Sequence, residues 1–366
     1  MGGRVAALAD MAVDAGYWAG TRVLVTGHTG FKGSWLSRWL TDMGARVTGL
    51  SDEVPAEPCL FTAARVRDEI EHYEVDVRDR DGVEQVVTRS RPDVVLHLAA
   101  QAYVRRSYLE PVETYAVNVM GTVNVLEAVR RAESVRAVVV VTSDKCYNNR
   151  EQQRPFTEDD PMGGHDPYSN SKGAAELVTD AYRRSFFGDP DGTRVASGRA
   201  GNVIGGGDWG EDRLIPDMMR GALAGVPIPI RNPEAVRPWQ HVLNPLSGYL
   251  VLAQALAAGQ DGVDTGFNFG PDPGDAQPVR TIVERLSARW PGDLAWEIDE
   301  GPHPHEAGYL SLDSGRAHER LGWAPTWDLD HTLASIADWF AAYRDGADMQ
   351  SVTDAQIAAF AGAASV

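Results

Sequence analysis

The segment Arg22–Gly33 limits the possible folds of this chain more than any other stretch. Arg22–Thr26 (RVLVT) is a short β-branched run that reads as a strand and stops at glycine. Gly27-His28-Thr29-Gly30-Phe31-Lys32-Gly33 follows at once. Ser34–Met43 then has helical periodicity and ends at Gly44. A GxxGxxG turn between a strand and a helix lets the backbone approach a pyrophosphate closely. It also turns the free N–H groups and partial positive charge of a helix N-terminus toward the anion. Three glycines alone would be weak evidence. On a first strand-to-helix turn they mark Gly27, Thr29, Gly30, Phe31, Lys32 and Gly33 as the expected cradle of a dinucleotide.

The rest of the first half repeats the alternation. Strand patterns at Arg46–Leu50, Glu74–Val77, Asp93–Leu98, Ala137–Thr142 and Arg194–Arg199 are separated by helical ones at Asp81–Ser90, Val117–Ala132 and Ser169–Phe186. Such an order implies right-handed βαβ units and a parallel sheet covered on both faces. After Asn202 the texture changes. Gly205–Asp208 (GGGD) reads as a turn, and glycine and proline punctuate the chain through Pro278. Helical patterns return at Leu246–Ala258, Val279–Arg289, Ser314–Leu321 and Asp330–Tyr343. With 366 residues the chain exceeds one ordinary domain. The expected fold class is α/β, a Rossmann-type doubly wound parallel sheet with a smaller, interleaved C-terminal substrate-binding lobe. Residues 1–16 read as an extension, 17–204 with about 240–258 as the dinucleotide domain, 205–239 with 259–349 as the lobe, and 350–366 as an Ala-rich tail. For the tail, a helix and an unstructured end both stay open.

Charge and cysteine content exclude several function classes. The formal net charge of −18 repels nucleic acids and anionic membranes, so neither is an expected partner. No apolar run approaches the roughly 20 residues of a membrane span. Met1–Ala15 lacks the basic start and long apolar run of a signal peptide. Cys59 and Cys146 are the two cysteines, with no CxxC or Cys/His cluster, so neither a zinc site nor a disulfide framework is expected and a reducing cytoplasm fits. His303, His305 and Glu306 (HPHEA) read as substrate contact or structure rather than as metal ligands.

Two further motifs carry chemistry. Tyr168-Ser169-Asn170-Ser171-Lys172 is YxxxK at a helix start, and i,i+4 spacing puts both side chains on one face. A tyrosine ordinarily ionises near pH 10. A neighbouring ammonium and a nicotinamide cation favour its phenolate, which can then take the proton of a carbinol while hydride leaves. Ser143-Asp144-Lys145 ends an apolar strand at the sheet edge where such folds place their chemistry, and reads as acid/base machinery. At the end of the second strand stands Ser51, followed by Asp52 and Glu53, with no arginine to receive a 2′-phosphate; the expected cofactor is therefore NAD rather than NADP. Asp76 is a candidate for the adenine amino group or a helix-initiating acid. Asn118 (in NVMGT) either supports the lysine through water or is a plain helix residue.

GxxGxxG, HLAA at His97–Ala100, NVMGT and YxxxK together resemble the extended short-chain dehydrogenase/reductase family of NAD-dependent epimerases and dehydratases acting on nucleotide sugars. GHTGFKGSWLSRWL (Gly27–Leu40), VTSDKCYNN (Val141–Asn149), DPYSNSK (Asp166–Lys172), RAGNVIGGGDW (Arg199–Trp209), DRLIPD (Asp212–Asp217) and RPWQHV (Arg237–Val242) are similar to its CDP-glucose dehydratase branch. The motifs span almost the whole chain. This resemblance implies a redox-neutral lyase. Tyr168 takes the 4-hydroxyl proton as hydride passes from carbon 4 to NAD, water leaves across carbons 5 and 6, and the hydride returns to carbon 6. It assigns Ser143 to the 4-oxygen, Asp144 to the departing 6-hydroxyl, and Lys145 to the position where dTDP-sugar relatives carry a glutamate base, either as a neutral base itself or as an ammonium that stabilises the enolate. Val77, Leu98, Ala99 and Ala100 join the cofactor contacts. Asn202, Arg213, Arg231, Arg237 and Glu306 become substrate contacts, and the partners are a nucleotide sugar, CDP-glucose, and a second copy through a helix pair that includes Ser169–Phe186. Ser51 and Asn244 depart from the family's acids, and the first fifteen residues are extra. A nucleotide-sugar epimerase or reductase, and a non-catalytic NAD-binding protein, are the competing readings; Asp144-Lys145 disfavours an epimerase, and the presence of Tyr168 and Lys172 disfavours an idle protein.

Overall fold

The computed structural model describes residues 12–55, 57–189, 191–299, 301 and 308–364. Seven strands form its central sheet: β1 (Arg22–Thr26), β2 (Arg46–Ser51), β3 (Glu71–Glu74), β4 (Val94–His97), β5 (Ala137–Val141), β6 (Arg194–Arg199) and β7 (Gly266–Asn268). They lie in the order β7-β6-β5-β4-β1-β2-β3, and every neighbouring pair is parallel. The order reverses between β1 and β4, which opens a crevice at the carboxyl ends of those strands, where α/β folds bind ligands.

Burial explains the sequence pattern. β4 and β5 are buried at every position, because helices cover both faces of the sheet. Alternate residues feed two cores. Val23, Val25, Val94, Leu96 and Val139 face one, with the helices Phe31–Asp42 and Leu243–Ala257. Leu24, Val95, Val138 and Val140 face the other, with Arg80–Ser90 and Gly121–Arg130. Helix Leu243–Ala257 is buried along its whole length and packs against β5 and β6.

Two expectations need correction, and one left open is resolved. The strand expected at Glu74–Val77 is instead β3, at Glu71–Glu74, and its pairing with β2 ends at Ser51↔Glu74. This is an edge strand with only partial burial, so its apolar alternation is poor, and Val75 and Val77 belong to the following turn. β7 comes from the range expected for the smaller lobe, yet it pairs with β6 in the main sheet. The Ala-rich tail contains the helix Met349–Ala363. It docks on Phe31–Asp42, where Arg38 pairs with both Glu69 and Asp354 at 2.7 Å and Trp39 meets Phe360 edge-on at 5.5 Å. Asn244 also acquires a reason. Its amide donates to Trp327 O at 2.8 Å, and its Oδ1 accepts the N–H groups of Thr326 and Trp327, a pattern that an acid's carboxylate cannot supply.

Among the described residues no helix is long and apolar enough to cross a membrane.

Candidate active site

A cavity of about 790 Å³ opens at the crevice beside β1 and β4, toward the upper end of the ~300–1,000 Å³ usual for small-molecule sites. Gly27, Thr29, Gly30, Phe31, Lys32 and Gly33 all line it. Gly27 sits at φ +72°, and a Cβ there would come within 2.7 Å of Ala99 N. At Gly33 a Cβ would stand 2.1 Å from Gly27 O, so the turn can close on the helix only with glycine in this place. Gly30 caps the helix, and the N–H groups of its first turn have no acceptor within it. This cradle fits a pyrophosphate. Val77, Leu98, Ala99 and Ala100 complete the wall.

The neutral end of β2 is built from side chains. Ser51 Oγ lies 3.2 Å from His28 Nδ1 and accepts the Thr29 N–H at 3.4 Å, while His28 Nε2 meets His72 Nδ1 at 2.7 Å. Burial, reinforced by His72, lowers His28 to about 4, so its ring is neutral near pH 7. Asp52 and Glu53 are exposed on the cavity rim.

Asp76 and Asn118 stand elsewhere than expected. The Asp76 carboxylate accepts the backbone N–H of Arg78 at 2.8 Å and its Nε at 2.8 Å, and it is not in the cavity wall; the neighbouring Val77 is. Asn118 lies in a π-helical turn, Ala116–Met120. Its Oδ1 accepts the Gln101 N–H at 2.8 Å, and its Nδ2 donates to Gln101 O at 3.0 Å and Ser171 Oγ at 2.8 Å. Both N–H groups of that amide and one acceptor direction of its oxygen tie the loop after β4 to the Tyr168 helix.

Tyr168 and Lys172 project from the first turns of Pro167–Phe186. Pro167 begins this helix and Asp166 caps it by accepting the Ser169 N–H at 2.9 Å. Both side chains are buried in the cavity wall. Burial pushes the Tyr168 phenol up to about 12, opposed by its hydrogen bond with Ser143. Burial lowers Lys172 to about 8, opposed by Glu176. Opposite them, Ser143 begins a single turn of 3-10 helix over Asp144–Cys146. Its Oγ donates to Asp144 Oδ1 at 2.9 Å and accepts the Lys145 N–H at 3.2 Å. Asp144 is 2% exposed, and its Oδ2 has no hydrogen-bond partner. Gly201 makes room for it, since a Cβ there would fall 1.9 Å from Asp144 Oδ2. Lys145 Nζ lies 6.0 Å from the centre of the Tyr168 ring.

The cationic side of the cavity is more heavily paired than the sequence suggests. Arg213 bonds Asp208 at 3.2 Å and stacks over Tyr103 at 4.9 Å. Arg231 contacts Asp212 at 3.2 Å, and Arg105 reaches the same carboxylate at 3.4 Å. Arg237 is buried and donates to Val236 O at 2.9 Å. Asn202 lines the cavity in a left-handed backbone conformation, φ +39°. Lys32 is lowered to about 7 by burial and then by the cations Lys172 and Arg213. Glu306, His303 and His305 lie outside the described residues. Among the described residues no group of three or more His, Cys, Asp and Glu could hold a metal ion. Sequence reasoning missed Tyr103, Asp208 and Asp212. Asp208 was hidden in GGGD, where an acid after glycines reads as turn chemistry.

Residues 23–268 match the model of the NAD dependent epimerase/dehydratase family. Over 341 residues the chain is 50% identical to the CDP-glucose 4,6-dehydratase of Salmonella typhimurium, covering 92% of this chain and 95% of that one. It is 28% identical over 337 residues to a dTDP-glucose 4,6-dehydratase of Xanthomonas campestris, covering 87% and 92%. Among solved structures, the Thermus thermophilus UDP-glucose 4-epimerase in complex with NAD is similar with a TM-score of 0.74 at 26% identity, over 88% of this chain and 99% of that one. The dTDP-glucose 4,6-dehydratase of Bacillus anthracis shares the fold with a TM-score of 0.74 at 21% identity, covering 90% and 99%.

Proposed function

The chain belongs to the NAD dependent epimerase/dehydratase family, and on that premise we propose that it is a hydro-lyase converting CDP-glucose to CDP-4-dehydro-6-deoxyglucose, a step of deoxysugar biosynthesis. The observation that carries this reading is Asp144, a cavity-lining acid whose Oδ2 has no partner, beside Lys145 and across from Tyr168. An epimerase acting at carbon 4 has no need of that charged pair. The 50% identity to a CDP-glucose 4,6-dehydratase supports the same substrate.

Bound NAD would supply reversible hydride acceptance, so no external reductant would be consumed. Gly27 to Gly33 would hold its pyrophosphate. Neutral His28 and Ser51, with Asp52 and Glu53 on the rim, favour a cofactor without a 2′-phosphate. Tyr168 Oη takes the proton of the 4-hydroxyl, and Ser143 Oγ holds the 4-oxygen. With its phenol pushed up to about 12 by burial, Tyr168 keeps its proton near pH 7 until further cationic charge gathers beside it. Lys145 Nζ receives the carbon-5 proton, which the neighbouring ketone acidifies. Asp144 Oδ2 gives its proton to the departing 6-hydroxyl. Arg213 and Arg231 exchange their carboxylate partners for oxygens of the nucleotide diphosphate, and Arg237 and Asn202 bind it beside them.

Asp144→Asn is expected to slow water loss by roughly 10²–10⁴-fold while solvent deuterium still enters carbon 5 of recovered CDP-glucose, both read by mass spectrometry. Water loss at the native rate would remove Asp144 from the acid role.

The same reading includes a homodimer. Leu109, Val112, Met120 and Leu177 are 83%, 82%, 52% and 62% exposed, on helices that pack together beside Pro167–Phe186. An apolar face of this kind is covered by a second copy in an isologous helix pair. Val112→Asp is expected to convert the dimer to a monomer in light-scattering chromatography; an unchanged mass would place the interface elsewhere. Cys59 and Cys146 are free and buried, which suits a reducing, cytoplasmic setting.

A further inference from the structure

Beyond Lys172 the catalytic helix runs one more turn to Glu176, whose side chain is 5% exposed. Spacing of i,i+4 puts the two on one helical face, and they reach consecutive residues at the end of β5. Lys172 Nζ donates to Val141 O at 3.4 Å, and Thr142 Oγ1 donates to Glu176 Oε1. Glu176 Oε2 accepts Ser197 Oγ at 2.7 Å and Arg199 Nη2 at 2.7 Å, both from β6. Arg199 Nη1 then donates to Tyr147 Oη at 2.8 Å, which donates to Asn268 on β7 at 2.6 Å. One carboxylate thus joins the Tyr168 helix, the residue before Ser143, and the strand that leads to Gly201.

Neither Glu176 nor Arg199 lines the cavity, so neither meets a ligand there. Stability alone is a poor reason for the pair. A buried ion pair is often matched or bettered by apolar residues of similar volume. Its placement one turn behind Lys172 supplies another reason. We propose that Glu176 is a positioning residue of the dehydration: its carboxylate holds the buried Lys172 as an ammonium and fixes the end of β5 so that Ser143 and Asp144 stand across from Tyr168. This rests on the roles given to Tyr168 and Lys172 above.

The surroundings leave Lys172 dependent on that anion. Lys32 faces it from the first turn of the glycine-rich helix, His97 from β4, Cys146 from the turn after β5, and Tyr168 from its own helix. Lys32 disfavours a second ammonium. Burial lowers His97 to about 3 and pushes the Cys146 thiol well up, so both are uncharged near neutral pH. Asp144 bears on Lys32 and Tyr168. Arg199, Tyr147 and Cys146 face Glu176 itself. Burial alone pushes the Glu176 carboxyl up, but Arg199, Thr142 and Ser197 outweigh it and hold the group below the usual carboxylate range, ionised.

Two variants test this: Glu176→Gln, and the charge-free pair Glu176→Gln with Arg199→Met, which removes both buried charges together. Only a neutral amine reacts with trace acetic anhydride, so the pH midpoint of Lys172 labelling, read by mass spectrometry, reports its ionisation without any substrate. Both variants are expected to lower that midpoint by about 1–2 pH units, and the alkaline limb of turnover is expected to move down with it. A double variant that is folded by urea denaturation but labels Lys172 at the native midpoint overturns the proposal. A native enzyme that fails to dehydrate CDP-glucose counts against the substrate assignment instead, and the labelling result still decides the role of Glu176.

Discussion

Tyr168→Phe is expected to lose roughly 10²–10⁴-fold in dehydration of CDP-glucose, while NAD affinity stays close to native. The substitution deletes one oxygen and leaves the ring that forms part of the cavity wall. The cradle Gly27–Gly33 does not depend on that oxygen, because its geometry is set by backbone contacts between the glycines and the loop after β4. What is lost is the phenol that bonds Ser143 and stands one turn from Lys172. Turnover of CDP-glucose measured beside NAD binding by calorimetry separates the two effects. Native turnover in the variant would mean that another group takes the 4-hydroxyl proton. A matching collapse of NAD binding would mean that Tyr168 is chiefly part of the cofactor wall.

Arg199→Met has the largest expected effect on folding, a destabilisation of about 3–5 kcal/mol in urea denaturation at neutral pH. Arg199 and Glu176 are 6% and 5% exposed. Removing the cation leaves a carboxylate in the interior with only hydroxyl donors from Thr142 and Ser197. The pH dependence carries the sign. In the native protein Glu176 is held below the ordinary carboxylate range, so it contributes stability above its unfolded pKa that is lost as pH falls through its folded one. In Arg199→Met burial pushes the carboxyl up, and the variant can relieve its deficit by taking a proton. The stability gap between the two proteins should therefore narrow on acidification. A gap that stays constant with pH would show that lost packing, not an unpaired charge, is responsible. Adding Glu176→Gln should recover much of the loss.

How far the sequence reveals this arrangement depends on how local each feature is. The β1–turn–helix unit is legible because strand, glycine turn and helix follow one another within about twenty residues, and Gly33 must pass Gly27 O. Tyr168 and Lys172 are legible because one helical turn sets their relation. β5 is legible as an apolar run because both its faces are covered. Where the determining contact is distant in sequence, the reading fails. Nothing near Gly266–Asn268 says that three residues will complete the main sheet; β6, some seventy residues earlier, decides it. Glu176 and Arg199 separately read as an ordinary helix residue and a strand end, and only the folded sheet pairs them. Asp76 shows the opposite case. A very local partner, Arg78, bonds its carboxylate, a contact the sequence reading did not weigh. Arg213 and Arg231 read as substrate-binding cations, but Asp208 and Asp212, which pair with them, look like loop residues.

The most direct test of the central claim is the mass of the sugar nucleotide after incubation with purified protein and NAD, with CDP-glucose run beside dTDP-, UDP- and GDP-glucose and without added reductant. Loss of one water from CDP-glucose in preference to the other three is the expected result. No loss from CDP-glucose by a folded, NAD-binding protein, or equal loss from all four, would contradict it.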